Sequence, residues 1–505
     1  MVACEVGRRD FLRWLAMSGT GLAAAGVAPA LFAQEAAAEG SDVVVLTPVT
    51  LIDGTGAPAR AEVAIVLVGD RVAWIGAPGD LPPTEGAVVL DGRGKYVVPG
   101  LCDMHTHGAD VAVFPPLHVV NGVTTTREMW GYPENRAIRD RIERGELPGP
   151  RIVLASGIVD GPVSLLDAPV VHVSTEDEAR AAVRAAKAEG AEFVKVYSYL
   201  GRDTFGAIAD ECGRLGLPFG GHWPYRVSIP EASTAGQHSF EHMYGMGIHT
   251  SARRDQFLAR LAGEPFDPAA PRAFYNLVAR LDREGTLSHS PARARALYEL
   301  FVHNGSWLSP TLSVNRVISL PAETYAHDPR LRYVPPSLRD YWKDRIKVFA
   351  PSTPQEIAEQ EAYFHALLGL VGDAYRAGVG LIGGTDCLNP YVFPGFSLHD
   401  ELGFLVEAGL PPMRALQAVT RDAARYLGKE DTLGTVTVGK AADLVLLDAD
   451  PLADIGAVRR IDTVITRGKV LGPAKRKKML ADVEAAAQNG APAARAGAPM
   501  RGCCC

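Results

Sequence analysis

The segment 97–107 reads Val97-Val98-Pro99-Gly100-Leu101-Cys102-Asp103-Met104-His105-Thr106-His107. Its apolar beginning predicts a buried strand, and side chains two residues apart on a strand point to the same face of the sheet. His105 and His107 are therefore expected to project together. Because neutral imidazole is a ligand for zinc and other divalent transition metals, this strand is predicted to carry two metal ligands. The alternative is a pair of ordinary core or surface histidines.

The sequence after this segment alternates short apolar runs with longer amphipathic stretches. Such alternation is typical of a parallel α/β architecture, and we predict a closed (β/α)8 TIM barrel over residues 99–434. The polar, proline-containing stretch 250–353 is predicted to be an insertion on the loop face of the barrel, with a strand candidate at Trp307-Leu308-Ser309 inside it. Other predicted strands are 122–125, 151–154, 193–197 and 379–383, and predicted helices are 176–189 and 202–215.

Strand-rich sequence flanks the predicted barrel on both sides. Residues 42–98 contain apolar, β-branched runs separated by turn signals such as Asp53-Gly54 and Gly69-Asp70. Residues 435–472 return to this pattern. We predict that the two segments form one small, discontinuous β-sandwich domain. Residues 473–505 are rich in Ala, Gly and Lys and are predicted to be a flexible tail.

The composition is that of a folded globular protein. The chain has 505 residues, of which 47% are hydrophobic and 22% are charged. Its net charge of −7 provides no basic excess to neutralise a phosphate backbone, so no nucleic-acid partner is expected. The 7 cysteines are scattered or terminal and form no CxxC pair, which predicts neither a disulfide framework nor a thiolate zinc site.

The first 33 residues have the pattern of an export signal. Arg8-Arg9 precedes a weakly apolar run over 14–31, which ends near the small residues Ala28-Pro29-Ala30 and Ala33. This pattern predicts a twin-arginine signal peptide and a periplasmic or secreted mature protein. A short N-terminal membrane anchor is the alternative, which the short apolar run disfavours. No other stretch approaches membrane-spanning length, so no integral span is expected after signal removal.

Three further residues of metal-ligand type directly follow predicted strands: His222, His242 and Asp386. The carboxyl ends of barrel strands converge on one rim, where active sites lie, so all three are expected to join the two histidines of the first strand. Each residue also has an ordinary alternative. His222 would cap a loop, His242 would pack in the core, and Asp386 would cap a helix.

Lys195 lies within the predicted strand 193–197, where its side chain should be buried. A lysine is rarely buried without a partner, and both burial and nearby cations favour its neutral amine. A neutral amine can add carbon dioxide to form a carbamate, an anion able to bridge two metal ions. The alternative is a lysine whose amine reaches the rim or forms an ordinary ion pair.

The predicted substrate contacts follow His222 closely. Tyr225 and Arg226 are expected to face the pocket. An arginine there would bind a carboxylate bidentately, as a dipeptide or an N-acyl amino acid requires. His249 and Tyr197 are further candidates for this pocket. A solvent-exposed loop position is the alternative for Arg226.

These residues, in this order, resemble the amidohydrolase superfamily, and more narrowly its imidazolonepropionase-like and Xaa-Pro dipeptidase (prolidase) branch. The resemblance covers about residues 43–470 and rests on the segments 97–107, 121–127, 193–197, 239–242, 383–386 and 439–444. It implies two divalent metal ions, with zinc expected. His105, His107 and Asp386 would bind the more buried ion, and His222 and His242 would bind the second. A carboxylated Lys195 would bridge the two ions, and Asp386 would move the proton of the bridging water to the leaving group.

The resemblance implies a metal-dependent hydrolase that cleaves an amide or peptide C–N bond of a dipeptide or N-acyl amino acid. Metal-bound hydroxide would attack the carbonyl, with Asp386 as general base and later acid. Two alternatives stay open. One is a hydrolase of a cyclic amide, a lactone or another ester on the same centre. The other is a catalytically silent binding protein on the barrel scaffold. The partner in the leading hypothesis is a small-molecule substrate, and a homo-oligomer stays open.

Overall fold

The protein has a mixed α/β fold in a computed structural model that describes residues 42–108, 112–166 and 169–489. The predicted signal segment 1–33 and the end of the predicted tail, 490–505, lie outside these residues. Within the described ranges no helix combines the length and hydropathy that a membrane crossing requires. The chain divides into two compact units. Among the described residues, the first comprises 42–101, 120–124 and 412–477, and the second comprises the others.

The first unit contains a mixed sheet that joins the two ends of the chain. The strand Leu444–Leu447 pairs antiparallel with Tyr96–Pro99, which in turn pairs parallel with Val43–Leu51. Val, Ile and Leu side chains from both segments fill one core beneath the sheet. From one edge to the other the strands are Lys469–Leu471, Ile461–Thr466, Leu444–Leu447, Tyr96–Pro99, Val43–Leu51, Arg60–Val68 and Arg71–Gly76, with Val88–Asp91 also paired to Val43–Leu51.

The second unit contains two sheets of mostly short strands. In order, the seven-stranded parallel sheet consists of Val171–His172, Val159–Asp160, Val194–Val196, Phe219–Gly221, Ser239–Glu241, Trp307–Ser309 and Gly380–Leu381. The three-stranded sheet consists of Leu101–Thr106, Val123–Glu128 and Arg151–Leu154. Parallel bridges from Ala155 to Phe193, next to the strand Val194–Val196, and from Thr106 to Cys387, after Gly380–Leu381, connect both outer strands of the three-stranded sheet to the larger sheet. This connectivity is consistent with a barrel.

Helices follow most of the parallel strands, as their sequence pattern predicts. The helix Glu176–Ala188 begins at a capping box between Thr175 and Glu178 and buries Ala179, Val183 and Ala186 at helical spacing. The other α-helices are Phe114–Val120, Pro133–Glu143, Arg202–Leu215, Ile229–Thr234, Met246–Thr250, Arg254–Gly263, Pro271–Leu287, Pro291–Asn304, Leu312–Ile318, Pro336–Ile346, Pro354–Arg376, Phe396–Glu407, Pro412–Ala418, Arg421–Tyr426 and Pro473–Gln488. Short 3-10 helices span Pro78–Asp80, Ala322–Tyr325, Pro329–Tyr333 and Ile455–Arg459.

Two expectations from the sequence need correction. The stretch 250–353 is not one insertion, because its strand Trp307–Ser309 pairs with Ser239–Glu241 on one side and Gly380–Leu381 on the other. It therefore consists of two helical segments on either side of a sheet strand. The predicted flexible tail is also wrong for Pro473–Gln488, which is helical. Its alanines and lysines favour helix formation, and Val483 and Ala487 are buried.

Candidate metal centre

The structure brings His105, His242 and Asp386 together in the interior of the second unit. One ligand atom of each lies within 4.8 Å of the others, and all three side chains are buried. The Nε2 atom of His105 lies 3.4 Å from Oδ1 of Asp386, and Nδ1 of His242 lies 3.6 Å from its Oδ2. Two imidazoles and one carboxylate at this spacing form a donor set for a divalent transition metal.

The other three predicted ligands lie around this cluster. The Nε2 atom of His107 is 3.1 Å from Oδ1 of Asp386, and the ring of His222 lies 4.9 Å from the ring of His242. Lys195 is buried, at 1% exposure. Its charge adds to burial in lowering the pKa of His222. All six ligand candidates are thus placed at one location.

The parallel strands explain why these residues meet. His222 and His242 directly follow the adjacent parallel strands Phe219–Gly221 and Ser239–Glu241, and Lys195 lies on the next strand of the sheet. Carboxyl ends of parallel strands meet at the same edge, so residues distant in sequence converge there.

Hydrogen bonds between Asp103, Thr385 and the backbone hold Asp386 beside the first histidine strand. The Asp103 carboxylate accepts from the Thr385 N–H at 3.0 Å and from its hydroxyl at 2.7 Å. The N–H of Asp386 donates to the carbonyl of His105 at 2.8 Å. Sequence reasoning assigned no role to Asp103, although it lies within the segment that was singled out.

Three residues of the site have left-handed backbone conformations that side chains other than glycine rarely adopt. The φ angles are 62° for His242, 60° for Asp386 and 45° for Thr311. Each such residue costs about 1–3 kcal/mol, and such strain concentrates at functional sites. The surrounding hydrogen bonds therefore hold these three side chains in directions that the local chain does not favour.

The electrostatics of the site favour the ligand forms of its groups. Burial, assisted by the Lys195 charge, lowers the pKa of His105 well below its usual value. Burial is also the main reason why the pKa of His242 falls to about 4. For Asp386, burial alone would raise the pKa, but His105 and His242 outweigh it and the pKa is lowered. Neutral imidazoles and an ionised carboxylate are the forms that bind a metal ion.

Each of three site histidines has a side-chain partner at its Nδ1 atom. His105 pairs with the Glu241 carboxylate at 2.8 Å. His222 pairs with the Ser198 hydroxyl at 3.0 Å, and His242 pairs with the Thr311 hydroxyl at 2.8 Å. Sequence reasoning missed these partners. Glu241 precedes His242 within the motif 239–242, whereas Ser198 and Thr311 lie in no motif that the sequence analysis identified.

A second carboxylate, Glu128, lies beside His107. Its Oε1 atom is 3.9 Å from Nδ1 of His107, and burial raises the pKa of Glu128 well above its usual value. Both residues line a small cavity, and Thr106, His118 and Asn135 are further polar residues in its lining. Glu128 was not identified from the sequence.

Arg226 uses part of its guanidinium to bind backbone carbonyls. Its side chain donates to the carbonyls of Leu261 and Glu264, at 3.1 and 3.4 Å, and lies over the ring of Phe274. The residue is exposed. These backbone acceptors come from a distant helix and the loop after it, and a contact with a substrate carboxylate stays a prediction.

His249 is also occupied by structural contacts. Its Nε2 atom accepts from the N–H of Ile229 at 3.2 Å, and its Nδ1 atom donates to the carbonyl of Gly245 at 2.9 Å. Both ring nitrogens are therefore used within the protein, which contradicts a substrate contact through the ring nitrogens.

The two predicted tyrosines are buried among aromatic rings. Tyr197 stacks on His222, with ring centroids 4.0 Å apart, and so buttresses a predicted ligand. Tyr225 packs edge-on against Tyr199 and Trp223. Direct contact of either tyrosine with a substrate stays a prediction.

The donor set fits a divalent metal ion. The Nε2 atom of His105 is buried and, among the described residues, no group hydrogen-bonds to it. A buried imidazole nitrogen without a hydrogen bond is costly unless a ligand uses it. Because this atom faces Asp386, a cation between the two residues would satisfy both.

Comparison with known proteins points to one superfamily. Residues 368–471 match the model of the amidohydrolase family. The chain is 25% identical over 406 residues to an imidazolonepropionase of Pseudomonas putida, covering 79% of this chain and 90% of the relative. A shorter match of 50 residues is 48% identical to an imidazolonepropionase of Rubrobacter xylanophilus and covers 9% of this chain and 12% of that protein.

Solved structures agree with this relationship. The bottromycin amidohydrolase AH superposes with a TM-score of 0.71 at 25% identity, over 89% of this chain and 91% of the other. A Xaa-Pro dipeptidase with bound methionine in its active site superposes with a TM-score of 0.62 at 21% identity, over 85% of this chain and 100% of the other, which supports the fold.

The fold, the buried histidine–aspartate cluster and these relationships define a hydrolytic enzyme. The chain is similar to enzymes of the amidohydrolase family, and its sequence is similar to imidazolonepropionases. The resemblance inferred from the sequence is thereby confirmed.

Proposed function

We propose that the protein is a binuclear metal-dependent hydrolase that cleaves an amide or peptide C–N bond. The observation that carries this proposal is the buried cluster of His105, His242 and Asp386, with ligand atoms within 4.8 Å of one another. His107, His222 and Lys195 adjoin the cluster, so the site offers enough donors for two ions. Relatives in the same superfamily branch support the type of bond.

We propose a closed eight-stranded barrel as the scaffold of the site. The bridges from Ala155 to Phe193 and from Thr106 to Cys387 support closure. They link the three-stranded sheet to both ends of the five adjacent strands that run from Val194–Val196 to Gly380–Leu381, which gives eight strands in total. The predicted domain boundaries at 98–99 and 434–435, and the discontinuous β-sandwich, are part of the same proposal. The sheet shared by the two chain ends supports them.

The side chains of this site would hold the ions and move one proton. In the proposal, His105, His107 and Asp386 hold one ion, and His222 and His242 hold the other. Bound metal ions supply a hydroxide nucleophile at neutral pH and polarise the carbonyl of the scissile bond. Asp386, which is kept ionised, accepts the proton of the attacking water and donates it to the leaving nitrogen.

Lys195 is proposed to be carboxylated on its side-chain nitrogen and to bridge the two ions. Its burial at 1% exposure among His105, His222 and His242 supports this, because an ammonium ion there would be costly. Carbamate formation replaces the buried positive charge by a negative one that two cations stabilise. Zinc is the proposed metal, since imidazole and carboxylate donors suit it.

The proposed substrate is a dipeptide or an N-acyl amino acid, and hydrolysis of a cyclic amide, a lactone or another ester is the competing proposal. Metal-replete protein should be incubated with a panel containing all of these compounds, and the products detected by mass spectrometry. Cleavage of dipeptides or N-acyl amino acids supports the first proposal. Turnover restricted to cyclic amides or lactones refutes it in favour of the second.

The role of Asp386 is tested by Asp386→Asn, with Asp210→Asn as the matched control at an exposed carboxylate. A general base contributes about 10²–10⁴-fold to the rate, so turnover should fall by at least about 100-fold in the first variant alone. Because Asp386 is also a proposed ligand, both proteins should be assayed at saturating metal and their bound metal measured. Retention of full activity by Asp386→Asn would overturn the assignment.

We propose export to the periplasm, or secretion, through the predicted twin-arginine signal in residues 1–33. Replacement of Arg8 and Arg9 by lysine keeps the charge but changes the arginine pair. The full-length variant should accumulate in the cytoplasm in a bacterium with this export system. Unchanged export of the double variant would refute the proposal.

A further inference from the structure

The Nδ1 partners of the site histidines differ in chemical type. His105 pairs with a carboxylate, that of Glu241, whereas His222 and His242 pair with the hydroxyls of Ser198 and Thr311. All three histidines are buried to a similar degree. The hydrogen-bond partner, and not solvent exposure, therefore distinguishes His105 from the other two.

A carboxylate and a hydroxyl constrain an imidazole differently. An ionised carboxylate only accepts hydrogen bonds, so Nδ1 of His105 must carry the proton and Nε2 must carry the lone pair. That Nε2 atom lies 3.4 Å from Oδ1 of Asp386. A hydroxyl both donates and accepts, so it leaves the tautomers of His222 and His242 open.

Arg127 holds the Glu241 carboxylate in place. Its Nη2 atom donates to both carboxylate oxygens, at 2.8 and 2.9 Å, and Ser239 donates to Oε1 at 2.6 Å. Arg127 and Glu241 both have side-chain exposures of 0%. The guanidinium also donates to the carbonyl of Met104, next to His105 in sequence, at 2.6 Å. The pair is thus anchored to the strand that carries the histidine.

We propose that Arg127 and Glu241 are positioning residues for His105, and that they make the metal position at His105 and Asp386 the tighter of the two. This inference rests on the binuclear centre of the proposed function. A carboxylate partner raises the basicity of a ligating histidine, and a charge-assisted hydrogen bond is roughly twice as strong as a neutral one. The position at His222 and His242 lacks such a partner and exchanges its ion more readily.

Metal release from the full mature chain, reconstituted with Co²⁺, tests the inference. The protein would be dialysed against chelators of increasing strength, and bound cobalt would be measured by elemental analysis and by its visible absorption. The wild type should lose one ion at low chelator strength and the other only at high strength. Glu241→Gln should weaken the tighter ion by about 10–100-fold and merge the two steps.

Two further variants keep the test interpretable. Glu241→Gln alone leaves Arg127 buried without its counter-charge, so the double variant Arg127→Met/Glu241→Gln removes both charges and preserves folding, checked by circular dichroism. Ser198→Ala is the matched control, because it removes the hydroxyl partner of His222. It should weaken only the ion that leaves first.

The outcomes separate the inference from the proposed function. Two-step release in the wild type with selective loss of the tight step in both Glu241 variants supports the inference. Two ions that leave together in the wild type, or a tight step unchanged in the double variant, overturn the inference while the binuclear centre stands. Failure of the wild type to bind two cobalt ions overturns both.

Discussion

Replacement of Arg127 by methionine removes a buried charge and leaves an unbranched side chain that ends two atoms earlier. In the wild type, Arg127 donates to both oxygens of Glu241, to the hydroxyl of Ser239 and to the carbonyl of Met104. The variant leaves the Glu241 carboxylate buried without its counter-charge. We expect this to be among the most destabilising single substitutions in the second unit.

The expected magnitude follows from the burial of the pair. Removal of one partner of a buried ion pair costs about 3–5 kcal/mol, because the other charge stays desolvated. The same substitution at Arg202, which makes a similarly bidentate pair with Glu231 on the surface, should cost less than about 1 kcal/mol. The Arg202 side chain is 69% exposed, so its carboxylate partner is resolvated when the arginine is lost.

Urea unfolding of metal-free protein, followed by tryptophan fluorescence, measures the difference. Denaturant slopes grow with protein size, so a loss of this order should lower the unfolding midpoint by about 1 M in Arg127→Met. The midpoint of Arg202→Met should change by a small fraction of that. Equal shifts in the two variants would refute the reasoning that burial, and not hydrogen-bond geometry, sets the cost.

Three further predictions concern residues that the sequence singled out. Lys195→Ala should abolish turnover, and added formate or acetate should restore part of it by taking the place of the proposed carbamate. The control Lys187→Ala, at an exposed helical position, should keep full activity. Loss of activity in Lys195→Ala without rescue by these anions would contradict the bridging role. Burial lowers the pKa of His249 to about 4 in the folded state. As the pH falls below the usual pKa of histidine, the unfolded chain therefore takes up a proton at His249 while the folded protein keeps this residue neutral. Wild-type stability should therefore fall by about 2 kcal/mol more than that of His249→Asn between pH 7.5 and pH 5, as judged from urea midpoints; parallel pH profiles would contradict this. Arg226→Ala should leave kcat/KM unchanged, because its guanidinium is bound to backbone carbonyls. It should lower the free energy of unfolding by about 1–2 kcal/mol. A selective rise in KM would instead identify Arg226 as a substrate contact.

Local patterns in the sequence predicted individual elements well. The strand Arg151–Leu154 and the helix Arg202–Leu215 have the predicted bounds, and the helix predicted over 176–189 ends one residue earlier. Apolar periodicity and capping residues depend only on neighbours in the chain, so they can be read directly. The resemblance to the superfamily was also visible, because it rests on short motifs such as 97–107 and 383–386.

The partners of the site residues were decided by the tertiary structure. Arg127 meets Glu241, and His242 meets Thr311, only because parallel strands and the loops after them converge at one edge. The same reason explains contacts that the sequence did not predict. Arg226 found backbone acceptors in a distant segment, and Trp307–Ser309 became an inner strand of the sheet within a stretch that looked like an insertion.

The sequence by itself determined the periodicity of the elements, the superfamily and the identity of the candidate ligands, since each depends on residue type and local spacing. The tertiary structure alone decided which atoms face one another. Asp386 lies beside His105 because backbone hydrogen bonds and Asp103 join two distant segments. Such contacts form only when the sheet buries these polar groups together, because each must then find a partner inside the protein.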